Sequence, residues 1–403
     1  MSNSKLDFQF FVPTRIRFGS GTLKELPEEL EHMGHRKLLV VTDKGVVKAG
    51  LLERLNVAIF GNEHAGGLGK GEEKNESKWE IEVFSDISPN PKDKEIVAGY
   101  HLAQETGSEL ILSLGGGTPI DAAKGIAALV GCQDDHLANY YGKDKLTAPA
   151  LPHIAIPTTA GTGSEVTFSS VISDTEQNMK KTLKTSFLAP KLAILDPELT
   201  LGLPADITAS TGMDALTHAI EAYTAKNKSY MSNTLAVEAA RLIYHNLMWA
   251  YQEPAELEAR EKVMLGSLLA GMAFSQSDVG ACHCMAEALG SRHDAPHGTC
   301  NAVLLPYIMA YNQEYAREEY SELAKVFGAD FESKEEGARI AVEKVQTLAR
   351  LLKLPNFDEL DIAPEDFEQL AELSVKNIST QSNPRPMGQE DYVEVFKRAY
   401  KSE

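Results

Sequence analysis

ELILSLGGGTPIDAAK, residues 109–124, joins a short apolar run to three consecutive glycines and then to a helix-like pattern. Residues 109–114 have the length and composition of a buried strand, and residues 119–130 have the periodicity of an amphipathic helix. A strand that feeds through glycines into a helix is the repeating step of an α/β fold. Glycine also lets the backbone approach a ligand closely, because no Cβ intervenes. The free N–H groups of a helix start, with the positive end of its dipole, suit a pyrophosphate. Pro119 fits the first turn of such a helix. The text is not the GxGxxG dinucleotide fingerprint, and the same residues would also serve as an ordinary tight strand–helix turn.

Outward from this stretch the same alternation repeats. Residues 37–42 (KLLVVT), 153–157 (HIAIP) and 192–195 (LAIL) read as strands, and residues 91–105 as an amphipathic segment. The order predicts a parallel sheet covered by helices. From about Pro204 helical patterns take over, at 208–224, 232–251, 254–275, 315–327, 334–352 and 364–375. We therefore expect an α/β domain over residues 1–200 and an all-helical domain over residues 201–403, the boundary lying between Asp196 and Pro204. Residues 62–77 (NEHAGGLGKGEEKNES) lack apolar periodicity and read as an exposed insertion loop.

A chain of 403 residues suggests two or three domains and can bury a core without disulfide or metal staples. The net charge of -19 argues against a nucleic-acid partner and against binding an anionic membrane surface. Cys132, Cys282, Cys284 and Cys300 form no CxxC pair and no disulfide framework, so a reduced, cytoplasmic setting is expected. The first residues show no signal-peptide pattern, and no apolar stretch reaches the ~18 residues of a membrane span.

Four further features carry chemistry. PTTAGTGSE, residues 157–165, follows a strand and interleaves hydroxyls with glycines, a loop able to donate to phosphate or ribose, or a plain polar turn. Asp43, at the tip of the 37–42 strand, can accept from ribose hydroxyls and repel a 2′-phosphate, which favours NAD over NADP; such a residue is equally a helix N-cap. Asp214 and His218 stand at i, i+4 and share a helix face, good placing for a divalent metal. His283 and His297 are 14 residues apart, which fits one ligand on a helix and the other on a loop or the next helix start. His32, His35, His64, His101, His136, His153 and His245 are read as hydrogen-bonded core or surface residues. Cys282 and Cys284 flank His283 and point off its face, so they are read as small buried residues rather than as a zinc site.

Taken in order, FVPTRIRFGSG, TDKG, PNP (89–91), GGGTPIDAAK, PTTAGTGSEVT, DPELT, GMDALTHAIEAY, PHGTCNAVLLP and NPRPM (383–387) resemble the iron-containing (group III) alcohol dehydrogenases over nearly the whole chain. The resemblance implies an N-terminal dinucleotide-binding α/β domain and a helical C-terminal domain, a dehydroquinate synthase-like architecture with the metal in the interdomain cleft. Carried over motif by motif, the metal ligands are Asp214, His218, His283 and His297. Asp43 matches the ribose-binding aspartate, Gly115, Gly116, Gly117 and Thr118 the pyrophosphate loop, and Thr158, Thr159 and Thr162 the second nucleotide loop. Asp121 joins the cofactor-binding set, and Lys180 matches a cofactor-contacting lysine. The implied cofactors are NAD and a divalent metal, iron by family habit, although zinc or manganese would satisfy the same ligands. The implied partners are a small alcohol or aldehyde and further copies of the chain, as a homodimer or higher homo-oligomer.

One position departs from the family text. Where many relatives carry a second histidine four residues after the third ligand, this chain has Glu287. It shares a helix face with His283 and is the candidate catalytic side chain. The implied chemistry is hydride transfer between NAD(H) and an alcohol or aldehyde whose oxygen the metal polarises. Three other readings compete: a dehydroquinate-synthase-like lyase, a maleylacetate-type reductase, and a non-catalytic NAD- or metal-binding protein. The complete Asp/His set disfavours the metal-independent reductase, and the GMDALTHAIEAY and PHG texts disfavour the lyase.

Overall fold

The computed structural model describes residues 7–61, 78–177 and 179–401; the insertion expected at 62–77 lies outside them. The chain divides into two compact units. One comprises Val12–Thr159 and Ser164–Gly202. The other comprises Leu203–Glu403, Ala160–Gly163 and the segment through Phe11.

In chain order the strands of the first unit are β1 (Arg15–Phe18), β2 (Lys37–Val41), β3 (Glu80–Phe84), β4 (Leu110–Gly115), β5 (Gly142–Lys143), β6 (His153–Pro157), β7 (Ser169–Asp174), β8 (Met179–Lys184) and β9 (Leu192–Leu195). Its helices are α1 (Leu26–Met33), α2 (Lys44–Lys48), α3 (Leu51–Phe60), α4 (Asp93–Thr106) and α5 (Gly117–Cys132). Six strands form a parallel sheet in the order β1-β9-β6-β4-β2-β3, and β5-β8-β7 form a small second sheet. Strands β2, β4, β6 and β9, the four expected from their apolar runs, are the buried centre of the large sheet. A parallel sheet covered on both faces needs such continuous runs. Alternate side chains serve opposite faces: Leu38 and Val40 pack with Leu26, Leu30 and Leu55, while Leu39 and Val41 pack with Ile96 and Ile126. Each such side chain, fully buried, contributes about 1.5–3 kcal/mol.

Strands β1 (RIRF) and β3 (EIEVF) were not expected, and both are edge strands. Their charged residues break the apolar run, as edges generally require. The hairpin β7–β8 was missed for the same reason, since MKKTLK is half-buried and carries three lysines.

Crossover handedness places the loops. The chain moves from β1 to β2 and on to β3 in one direction, with α1 and α3 on one face. It then returns past β2 to β4 and β6, with α4 and α5 on the other face. Right-handed crossovers require that change of face. The direction reverses between β2 and β4, and the crevice at the carboxyl ends of such strands is where open α/β sheets bind ligands. Close approach of α4 to α5 is made by glycines: a Cβ on Gly99 would lie 2.3 Å from Ile126, and one on Gly125 would lie 2.9 Å from Ile96.

The second unit is helical: α6 (Ala205–Thr224), α7 (Tyr230–Gln252), α8 (Leu257–Ser277), α9 (Ala281–His293), α10 (His297–Asn312), α11 (Arg317–Val326), α12 (Lys334–Leu351), α13 (Phe367–Lys376) and α14 (Gln389–Lys401). All six expected helices here match to within about three residues, as end fraying allows. None of the described helices is long and apolar enough to cross a membrane.

Residues 160–163 of the PTTAGTGSE loop cluster with these helices. Gly163 adopts φ +61°, and a Cβ there would sit 2.6 Å from the Gly271 Cα on α8. The two glycines let backbone meet backbone. Gly163→Ala should therefore incur both left-handed strain and a clash, together about 2–5 kcal/mol. Thermal unfolding of the variant should come several degrees earlier; an unchanged midpoint would refute this account of the contact.

Candidate active site

Helix α6 presents Asp214 and His218 one turn apart, both buried. Helix α9 presents His283, and His297 is the first residue of α10. The three imidazoles converge on the Asp214 carboxylate. His218 Nδ1 lies 3.9 Å from its Oδ2, while His283 Nε2 and His297 Nε2 lie 3.8 and 3.7 Å from its Oδ1. One donor atom from each of Asp214, His283 and His297 falls within 4.8 Å of the others. The His218 ring packs on His283 and Phe274, each with centroids 4.3 Å apart.

The surroundings fix how these groups are presented. Burial pushes the His218 ring down to about 3, against the pull of Asp214, so it is a neutral imidazole with a lone pair to offer. Its backbone partner is Gly161. Burial also opposes charge on His283, but the carboxylates of Glu221, Asp214 and Glu287 together outweigh it and the net shift is upward. Glu221 Oε2 lies 2.5 Å from His283 Nδ1, and its Oε1 accepts from the Cys282 backbone N–H at 2.7 Å. Asn301, one turn along α10 from His297, donates to Asp214 Oδ1 at 2.7 Å. Sequence reading passed over both Glu221 and Asn301. Spacing offered the signal, since Asp214, His218 and Glu221 stand at i, i+4 and i+7 on one helix face.

Among the described residues, none gives a hydrogen bond to His218 Nδ1 or His283 Nε2, both of them buried ring nitrogens. Each such atom costs about 1–3 kcal/mol if left unsatisfied. A carboxylate with imidazole nitrogens is a donor set for iron, zinc or manganese, and a metal ion would satisfy these atoms. The residues present thus fit a divalent metal.

The nucleotide motifs occupy the carboxyl ends of three neighbouring strands. Asp43 follows β2, Gly115 and Gly116 end β4, and Thr158 follows β6. Gly115 has φ +154°, and a Cβ on it would lie 2.5 Å from the Pro119 ring. Gly116 starts α5 with no side-chain cap, and Gly117 and Thr118 form its first turn. Thr159 packs over Gly116, while Thr158 is buried and donates its N–H to the Gly115 carbonyl at 3.0 Å. Asp43 Oδ1 accepts from the Val46 N–H at 2.9 Å, so it does cap α2. Thr162 groups with the helical unit.

Two expected cofactor residues are engaged within the protein. Asp121 accepts from the Ser164 hydroxyl at 2.5 Å and from the Val171 N–H at 3.0 Å, which ties α5 to the loop and the hairpin. Lys180 donates to Asn90 at 2.9 Å. Beside Asp121, the fully buried Lys124 ammonium donates to the carbonyls of Ser164 and Ser169 and the hydroxyls of Ser164 and Thr167, at 2.7 to 3.0 Å. Sequence reading gave Lys124 no role, although the small and apolar residues around it on α5 are buried.

Glu287 lies on α9 one turn beyond His283, half-buried, and accepts from the Asn377 side-chain amide at 2.6 Å. Cys282, Cys284 and Cys300 are buried free thiols. His153 is a core histidine, bonded to Ser113 at 2.7 Å and pushed down to about 3 by burial and by Lys124.

Comparison with known proteins places this arrangement. Residues 13–197 match the family described as iron-containing alcohol dehydrogenase, and residues 208–400 match its C-terminal part. The 1,3-propanediol dehydrogenase of Citrobacter freundii is 34% identical over 398 residues, spanning 98% of this chain and 99% of that one. A solved 1,3-propanediol oxidoreductase superposes with a TM-score of 0.90 at 34% identity, over 98% of this chain and all of its own. The sulfoacetaldehyde reductase of Bifidobacterium kashiwanohense, solved in complex with NAD+, gives 0.85 at 30% identity, covering 99% of this chain and 100% of that one.

Proposed function

The chain belongs to the iron-containing alcohol dehydrogenase family and is a metal-dependent oxidoreductase of small alcohols and aldehydes, and from that premise we propose how its own residues divide the work. Asp214, His218, His283 and His297 hold the iron, and the observation that carries this is the pair of orphaned, buried imidazole nitrogens facing the Asp214 carboxylate. Bound there, iron would polarise the substrate oxygen as a Lewis acid, and NAD would give or take the hydride. The rings of His218 and His283 keep water from one side by burial, while His297, 28% exposed, marks the side from which substrate enters. Residues 1–200 bind NAD and residues 201–403 bind metal and substrate. Gly115, Gly116, Gly117 and Thr118 cradle the pyrophosphate at the start of α5, with Thr158, Thr159 and Thr162 donating from the second loop. Asp43 takes the ribose hydroxyls with the oxygen that does not cap α2. Asp121, bonded to Ser164, and Lys180, bonded to Asn90, complete the set of cofactor-binding residues.

Turnover of a panel of alcohols and aldehydes with NAD(H), on protein loaded with iron, zinc or manganese, tests the reading. His283→Ala should lose metal and nearly all turnover while binding NAD as before. Full metal content and turnover in that variant would remove the ligand assignment, and no turnover of any panel member by loaded wild type would leave a silent NAD- or metal-binding protein.

Cofactor choice follows from Asp43. Asp43→Gly should improve the use of NADP relative to NAD, because the repulsion of a 2′-phosphate is gone. Wild-type kinetics already favouring NADP would contradict it.

Glu287 is proposed as a group that meets the substrate or a water near the metal, its carboxylate steadied by Asn377. Glu287→Gln keeps the shape and removes the charge. Catalytic efficiency should fall at least roughly tenfold with metal content unchanged. Wild-type behaviour across pH and substrates would make Glu287 a bystander.

A further inference from the structure

We propose that Glu221 is a positioning residue for the metal centre: it fixes which nitrogen of His283 carries the proton, and so which one is left to bind metal. The inference rests on the reading of His283 as a ligand. Glu221 is 4% exposed and lies on α6 one helical turn beyond His218. Its two oxygens have separate duties. Oε2 meets His283 Nδ1 at 2.5 Å, and Oε1 accepts from the backbone N–H of Cys282, the residue before it, at 2.7 Å.

An ionised carboxylate only accepts, so Nδ1 of His283 must carry the proton. In a neutral ring the lone pair then resides on Nε2, which is the orphaned nitrogen 3.8 Å from Asp214 Oδ1. The bond to Cys282 N holds the first turn of α9 against α6, and so sets the height of the His283 ring. Asn383, from the NPRPM motif, anchors the same turn from the other side. It accepts from Ala281 N at 3.3 Å and exchanges two bonds with Asn312, at 2.8 and 2.9 Å. A Cβ on Gly280 would lie 2.9 Å from Glu221 Oε1, so the glycine at the start of α9 makes room for the carboxylate. Glutamine at 221 would keep the shape, but its amide has one acceptor for two donors. If its NH2 faces Nδ1, the ring must take the other tautomer, and the Nε2 lone pair is lost to a proton.

The test is a titration of the full-length protein with zinc alone, in competition with a chromophoric chelator, for wild type, Glu221→Gln, His283→Ala and the double variant. Partners of this kind typically change metal affinity by about tenfold to a hundredfold, and Glu221→Gln should weaken zinc binding by that much while NAD binding stays as in wild type. Because Glu221 acts through His283, the double variant should bind zinc no more weakly than His283→Ala alone. A merely structural role would add a further loss to the double variant, and that result, or wild-type affinity in Glu221→Gln, overturns the proposal. Wild-type affinity in His283→Ala would instead bring down the ligand assignment beneath it. Should Glu221→Gln fail to fold, Glu221→Asp takes its place. It keeps the charge but withdraws it by one methylene, and zinc binding unchanged from wild type would again overturn the proposal.

Discussion

A carboxylate and two imidazoles buried together, with a third imidazole at the edge, set the terms for the helical unit. Asp214 is 2% exposed, and Asn301 donates a short hydrogen bond to it. Buried charge is costly unless it is paired, and buried imidazole nitrogens are costly unless bonded. A divalent cation meets both needs at once. The residues proposed to hold it come from α6, α9 and α10, so a bound ion would tie those three helices together. The buried carboxylate of Glu221 and the Asn383–Asn312 pair hold the start of α9 where that geometry requires it.

The α/β unit works under a different constraint. Its parallel strands β2, β4 and β6 end side by side, and right-handed crossovers reverse the direction of travel between β2 and β4. That reversal opens the crevice at which Asp43 and the glycines at 115–117 stand. Lys124, on the helix that follows those glycines, ties α5 to the segment 164–169. Its ammonium has no exposure and reaches four oxygens of residues 164, 167 and 169. Burial brings its pKa down to about 8 against the pull of Asp121 and Glu165. The loop 157–165 is therefore shaped by a buried cation as well as by its own glycines, and Asp121, part of the same network, bonds to the same loop through Ser164.

Much of this was legible in the residues alone. The four central strands announced themselves because a strand buried on both faces must be apolar throughout. The long helices of the second unit did so through their apolar stripes. The pairing of Asp214 with His218 followed from helical pitch. Local rules of this kind act over a few residues, so a linear text carries them. Edge strands such as β1 and β3, and the lysine-rich hairpin β7–β8, obey no such rule, since their pairing partners supply what their sequence lacks.

What only the tertiary structure decided concerns residues whose role lies in their neighbours. Glu221 looked like one more acid on a helix until α9 brought His283 to within 2.5 Å of it. Lys124 received no reading from sequence, and it is residues 164–169 that enclose its ammonium. Glu287 could be placed on the face of His283 from spacing, but its bond to Asn377, ninety residues away, could not. The sequence determined the class of fold and marked out candidate loops and candidate ligands, because pitch, pleat and glycine content are local properties. The protonated nitrogen of His283, the depth of each carboxylate and the identity of every supporting residue were decided by packing, because burial and pairing exist only once distant segments meet.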